Sequence, residues 1–280
     1  MKTAFSKYHG LGNDFVVVDR RTGGSPVRPE QGVALCDRRT GIGADGVLTL
    51  LAEPDGTPRM HVTNADGSVA EMCGNGLRCV VKFLADEGAA RGERLSVMTG
   101  NGLLSCELHR DAQGVVTEVT VAMGRPELTP SKIPIAAPGD RFVQGELTVG
   151  AEKVRGTAVS MGNPHFVLFG DLRPRAAELG PLLERHPAFP SRTNVEFVTR
   201  TPEGLDVVVW ERGCGFTQAC GTGACASVVA GILEGRLTAG AAIPVKLAGG
   251  TLQIRVLPDL SQVFMRGPAI RVFAGEVELA

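Results

Sequence analysis

Long apolar runs are missing from this sequence: nowhere do 18 consecutive apolar residues occur, so no transmembrane helix is expected. An excess of one charge is missing too. Twenty-nine Lys and Arg against 30 Asp and Glu leave a net charge of −1, which gives no electrostatic case for nucleic acid or an anionic membrane as partner. Residues 1–10 carry no apolar run after their lysines, so no signal peptide is expected. Lysine is scarce. Lys2, Lys7, Lys82, Lys132, Lys153 and Lys246 are all there are, and none lies in a loop resembling a Schiff-base site. Pyridoxal phosphate is therefore not expected, and no other cofactor is implied. The cysteines lack the C-x2-C spacing of a zinc site, with five residues between Cys73 and Cys79, five between Cys214 and Cys220, and four between Cys220 and Cys225. No metal site is expected.

What is present is an ordinary globular composition, 43% hydrophobic and 21% charged, in 280 residues that suit one large or two modest domains. Seven cysteines is an odd number in a chain too long to need disulfide staples. With no signal peptide, that points to free thiols in a reducing cytoplasm.

One stretch occurs twice. Met72-Cys73-Gly74-Asn75-Gly76 runs into a helical pattern over residues 77–87, and Ala219-Cys220-Gly221-Thr222-Gly223 runs into another over 224–234. Glycine allows backbone to approach a ligand where a Cβ would block it. The first N–H groups of a helix have no internal partner and carry partial positive charge, which suits an anion. A thiol at the same point is drawn towards thiolate, the form that accepts protons. Two thiols, each beside a carboxylate-sized anion site, are the parts needed to exchange a proton next to a carboxylate.

The halves overlay at a spacing of about 150 residues, the signature of an internal duplication. Gly12-Asn13 matches Gly162-Asn163, and Met98-Thr99-Gly100 matches Leu247-Ala248-Gly249. Asn64 and Glu211 each lie nine residues before their cysteine. The expected fold class is α+β: two pseudo-symmetric domains, each a curled, mostly antiparallel sheet around a central helix, with the active site in the cleft between them. Gly124-Arg125-Pro126, with Pro130, Pro134 and Pro138 beyond it, reads as the crossing. The expected domains are 1–124 and 125–266. A helix over 175–185 reads as capped or broken at Gly180-Pro181. Gly41-Ile42-Gly43-Ala44-Asp45-Gly46 matches GxGxxG, but a helix (29–38) precedes it and a strand (47–51) follows, so it reads as a turn and not as a dinucleotide site.

At these residues the sequence resembles the diaminopimelate epimerase family of cofactor-independent amino-acid racemases. The resemblance spans nearly the whole chain. It rests on His9-Gly10-Leu11-Gly12-Asn13-Asp14-Phe15, Asn64-Ala65-Asp66-Gly67-Ser68, Met72 to Gly76 with Arg78-Cys79, Gly162-Asn163-Pro164-His165, Asn194, Glu211-Arg212-Gly213 and Ala219 to Cys225. It implies inversion of one α-carbon of LL-diaminopimelate to give the meso form, a step towards lysine and cell-wall precursors. It implies Cys73 and Cys220 as the acid/base thiols, His165 and Glu211 as influences on their protonation, and a C-terminal strand (267–280) that returns to the first domain. The sequence departs from the family at Phe216, where an acidic residue is common, at Cys214, which is unusual, and at Val69, which replaces a commoner Glu.

The site expected from these readings has Cys73, Cys220, His165 and Glu211 as its catalytic set. Substrate is assigned to Asn13, Asn64, Gly74, Asn75, Asn163, Asn194, Glu211, Arg212, Gly221 and Thr222. Amides supply the neutral donors and acceptors that a diamino diacid needs, and arginine grips a carboxylate with two parallel bonds. Cys79, Cys225, Cys36 and Cys106 read as packing residues. Lowering a thiol from about 8.5 to about 7 takes roughly 2 kcal/mol, and a helix N-terminus supplies up to about 2. The expected partner is a small amino acid, diaminopimelate, with proline or hydroxyproline as the rival substrate, and the expected assembly is a homodimer.

Overall fold

The computed structural model describes residues 2–279, and the chain divides into two units. One holds the residues up to Ala122 together with those from Arg266 onward; the other holds Met123–Met265. Among the described residues no helix is long and apolar enough to cross a membrane.

In the first unit the strands are β1 (Lys2–Gly10), β2 (Asn13–Asp19), β3 (Gly46–Ala52), β4 (Pro58–Asn64), β5 (Val69–Ala70), β6 (Arg94–Thr99), β7 (Gly102–Arg110) and β8 (Val116–Gly124), with helices α1 (Pro29–Cys36) and α2 (Gly74–Asp86). β1 pairs antiparallel with β2, β2 parallel with β3, β3 antiparallel with β4, β4 parallel with β6, and β6 antiparallel with β7, which pairs antiparallel with β8. Val16, Val18 and Val47 alternate outwards onto Leu35 and Cys36 of α1. The other face wraps α2, which packs against β1, β2, β3, β4 and β6. Leu77, Val80, Val81 and Leu84 of that helix are all buried.

The second unit repeats the plan. Its elements are β9 (Gly145–Val149), β10 (Glu152–Ser160), β11 (Pro164–Phe169), α3 (Ala176–Glu184), β12 (Asn194–Arg200), β13 (Leu205–Glu211), β14 (Gly215–Phe216), α4 (Gly221–Leu233), β15 (Ala242–Leu247) and β16 (Gly250–Val256). β10 to β16 pair with the same sequence of senses: antiparallel, parallel, antiparallel, then parallel from β13 to β15 and antiparallel to β16. Phe166, Leu168, Val195 and Phe197 face α3 on the outside. The residues between them, His165, Val167, Asn194 and Glu196, alternate inwards towards α4. β17 (Val263–Pro268) carries the chain over the second boundary, and β18 (Ile270–Glu278) pairs antiparallel with β1.

Two local features differ from the sequence expectation. The central helices begin three residues earlier, so both Gly-x-Gly segments form their first turns and are not loops. A Cβ on Gly76 would lie 3.0 Å from Leu48, and one on Gly223 would lie 2.7 Å from Glu196, so glycine lets each helix sit close on its sheet. The helix α3 runs unbroken through Pro181. Its neighbour Gly180 rests on Trp210, where a Cβ would come within 2.7 Å of the ring, so glycine lets the helix sit close on β13.

Candidate active site

Each unit gathers candidate site residues at the N-terminus of its own central helix. In the first, Cys73 is the N-cap of α2 in extended conformation, and its Sγ accepts the Gly76 N–H at 3.4 Å. The pairing of β2, β3 and β4 sets Asn13, Gly46 and Asn64 at one end of the sheet. Asn75 Nδ2 donates to Asn13 Oδ1 at 3.1 Å, Asn13 Nδ2 donates to Asp45 at 2.8 Å, and the fully buried Arg78 donates to Asn75 Oδ1 at 2.9 Å. These bonds fix both amides. Asn64 closes the following turn through Ser68 Oγ at 3.0 Å. Beneath them Asp14 takes Lys7 at 2.7 Å and Arg38 at 2.7 Å. Burial raises the Asp14 carboxyl, but these two cations outweigh it and bring it down to about 2.

In the second unit Cys220 is the N-cap of α4, with Sγ accepting the Gly223 N–H at 3.4 Å and lying 3.5 Å from Thr222 Oγ1. Glu211, at the end of β13, accepts from Thr217 and from the Cys220 side chain. Burial raises the Glu211 carboxyl, opposed by Thr217 and by the nearby His165. Burial also pushes the Cys220 thiol well above its ordinary value, and Glu211 and Glu196 push it further. The Thr222 and Gly223 bonds act in the opposite direction and do not offset this. The expected thiolate is therefore not the resting form of Cys220. It rests as a thiol that donates to a carboxylate.

His165 is fully buried, with Nδ1 2.7 Å from Glu196 Oε1 and Nε2 2.9 Å from Asn163 Oδ1. Asn194 donates to the Pro164 carbonyl at 2.8 Å and accepts the Arg212 backbone N–H at 3.0 Å, which ties the Glu211–Arg212 corner to β11. The exposed Arg212 guanidinium reaches the Ser191 carbonyl at 3.0 Å.

Sequence reasoning missed Glu196 and Asp45. The signal for Glu196 was a charge set between the apolar Val195 and Phe197-Val198 in mid-strand. Asp45 stood in the GxGxxG turn, where its bond to Asn13 had no signature.

The fold is shared with solved structures that include racemases, epimerases and an isomerase. Its likeness to a hydroxyproline epimerase from Agrobacterium vitis has a TM-score of 0.72 at 16% identity, covering 99% of this chain and 92% of that one. A probable proline racemase from Agrobacterium radiobacter gives 0.73 at 14%, over 99% and 93%. A phenazine biosynthesis protein from Bacillus anthracis gives 0.70 at 15%, over 99% of both chains. The family model described as diaminopimelate epimerase matches residues 5–129 and 157–272. Diaminopimelate epimerases from Synechococcus elongatus, at 47% identity over 100% of both chains, and Leptospira biflexa, at 45% over 100% of both, are similar along their full length. One from Pelotomaculum thermopropionicum is 48% identical over 97% of this chain and 98% of its own. The chain belongs to the diaminopimelate epimerase family.

Proposed function

We propose that this protein epimerises LL-2,6-diaminopimelate to the meso form without a cofactor, by proton transfer between Cys73 and Cys220 at one α-carbon. The observation that carries the reading is the duplicated cap: in a chain of this family, each unit holds one cysteine sulfur on the first-turn N–H of its central helix. Inversion needs a base on one face of the carbon and an acid on the other, so the two sulfurs act from opposite sides of bound substrate.

Cys220 starts as the acid. Its proton is held against Glu211, and it is delivered to the carbanion as Cys73 thiolate withdraws the α-proton from the opposite face. For the reverse direction the roles exchange, Cys220 acting as the base; the repulsion of Glu211 on its thiolate favours return of a proton to that sulfur. The first-turn N–H groups at Gly74, Asn75, Gly221 and Thr222 hold the α-carboxylate and stabilise the charge that develops on it. Asn64, Asn163 and Arg212 take the distal amino and carboxyl groups, with Asn13, Asn75 and Asn194 bracing them. We place the activity in the cytoplasm and in a homodimer, which equilibrium sedimentation of the full chain tests.

The deciding experiment incubates the enzyme in ²H₂O with LL-diaminopimelate and, separately, with L-proline, followed by chiral analysis. Meso product carrying one α-deuterium supports the reading. Turnover of proline alone would replace it with the rival substrate, and exchange into neither would refute both.

A further inference from the structure

Glu196 has no part in the proton transfers described above, yet it is completely buried, and its Oε2 has no hydrogen-bond partner among the described residues. A buried carboxyl with one orphaned oxygen is costly, so what its other oxygen does is informative. Oε1 meets His165 Nδ1 at 2.7 Å, and on the far side of the ring Nε2 meets Asn163 Oδ1 at 2.9 Å. An amide oxygen only accepts, so Nε2 carries a proton. The Nδ1–Oε1 contact holds a second one. With both, the pair is neutral overall, as imidazolium beside carboxylate or imidazole beside carboxylic acid.

Removing one proton changes the geometry. The carboxylate then accepts Nδ1–H, and Nε2 is left as a lone pair facing the Asn163 oxygen. The amide must turn so that its NH₂ donates to Nε2, which brings its oxygen outward. What half-exposed Asn163 offers a ligand is thus tied to the protons on Glu196 and His165.

We propose that Glu196 is a positioning residue that keeps His165 protonated at Nε2, and so holds the Asn163 amide with its NH₂ outward as a donor to a carboxylate oxygen of bound substrate. This rests on the diaminopimelate reading above for the identity of that carboxylate. The other titratable groups facing the pair are Glu211, from β13, and Cys220, at the head of α4. β10 sets Val159 opposite His165, and β13 sets Val209 opposite Glu196.

Two measurements test it on the full chain: histidine ¹⁵N NMR, which needs no substrate, and the kinetics with diaminopimelate. In the wild type, His165 Nε2 carries a proton. In Glu196→Gln the carboxamide donates to Nδ1, so Nε2–H is retained and KM stays close to wild type. In Glu196→Leu the ring loses its anchor, Nε2 is no longer uniformly protonated, and KM rises about tenfold or more, with kcat affected less. If the leucine variant does not fold, the isosteric glutamine variant decides. An unprotonated Nε2 in the wild type, or a variant that loses Nε2–H with no rise in KM, or a glutamine variant that keeps Nε2–H but loses binding, overturns the proposal. Absence of any diaminopimelate turnover by the wild type would refute the substrate reading, while the NMR result would still decide the role of Glu196.

Discussion

The Gly223 amide donates to Cys220 Sγ at 3.4 Å, the same bond at the same length as Gly76 makes to Cys73 Sγ in the first unit. Each sulfur thus occupies the place that serine or threonine oxygen takes in an ordinary helix cap. Under the proposed mechanism, that equivalence suits either thiol to serve as acid or as base.

Cys73→Ala and Cys220→Ala should each lower kcat/KM by at least the 10²–10⁴-fold typical of general acid–base groups, with an unchanged circular dichroism spectrum. Either variant retaining a tenth of wild-type activity in a coupled assay would remove that cysteine from the reaction.

Gly223→Ala should be damaging out of proportion to its size. The new Cβ would stand 2.7 Å from Glu196 Oε1 and 3.2 Å from Cys220 Sγ, and overpacking of this kind costs about 1–3 kcal/mol. Gly76→Ala meets Leu48 at 3.0 Å, an apolar contact that can yield. Thermal melts should therefore show the larger fall for Gly223→Ala; equal shifts would mean that Glu196 gives way freely.

Arg212→Lys keeps the charge but loses the planar fork. KM for diaminopimelate should rise about tenfold, the loss of one charge-assisted hydrogen bond, with kcat little changed. An unaltered KM would take Arg212 out of substrate binding.

Stability should fall in alkali. Burial raises Cys36 to about 11, and Cys79 and Cys106 to about 12, while Cys220 is raised well above its ordinary value. A thiol raised on folding stabilises fully below its unfolded value of about 8.5 and loses that contribution as pH climbs through the folded value. The melting temperature should thus drop as pH passes from about 8.5 towards about 12. Cys106→Ala, remote from the site in β7, should be less stable at neutral pH but show a shallower alkaline slope. A slope identical to wild type would refute the linkage.

The duplication was legible because Gly12-Asn13 with Gly162-Asn163, and Cys73-Gly-x-Gly with Cys220-Gly-x-Gly, repeat in order at a steady spacing. Strand positions followed from short β-branched runs between turn residues. The helix starts were not legible, since glycine reads as loop unless one knows that Leu48 and Glu196 press against it. Glu196 was hidden for a related reason. In a strand an acidic residue flanked by apolar ones reads as the solvent side of an alternation, whereas here both faces are covered, by α3 and by α4. The Asn13–Asn75 bond joins residues 62 apart, and no local pattern encodes it.

The pairing of β18 with β1 bears on the order in which the chain can assemble during synthesis. One edge of β1 is taken by β2, but on the other edge Lys2 to His9 find their antiparallel partners in Ile270 to Glu278. A ribosome that has reached Met265 has already synthesised all of the second unit, while the first still shows β1 with one row of backbone groups unsatisfied. The N-terminal unit, made first, is therefore finished last, and through that interval its open edge is the part of the nascent chain most exposed to mispairing.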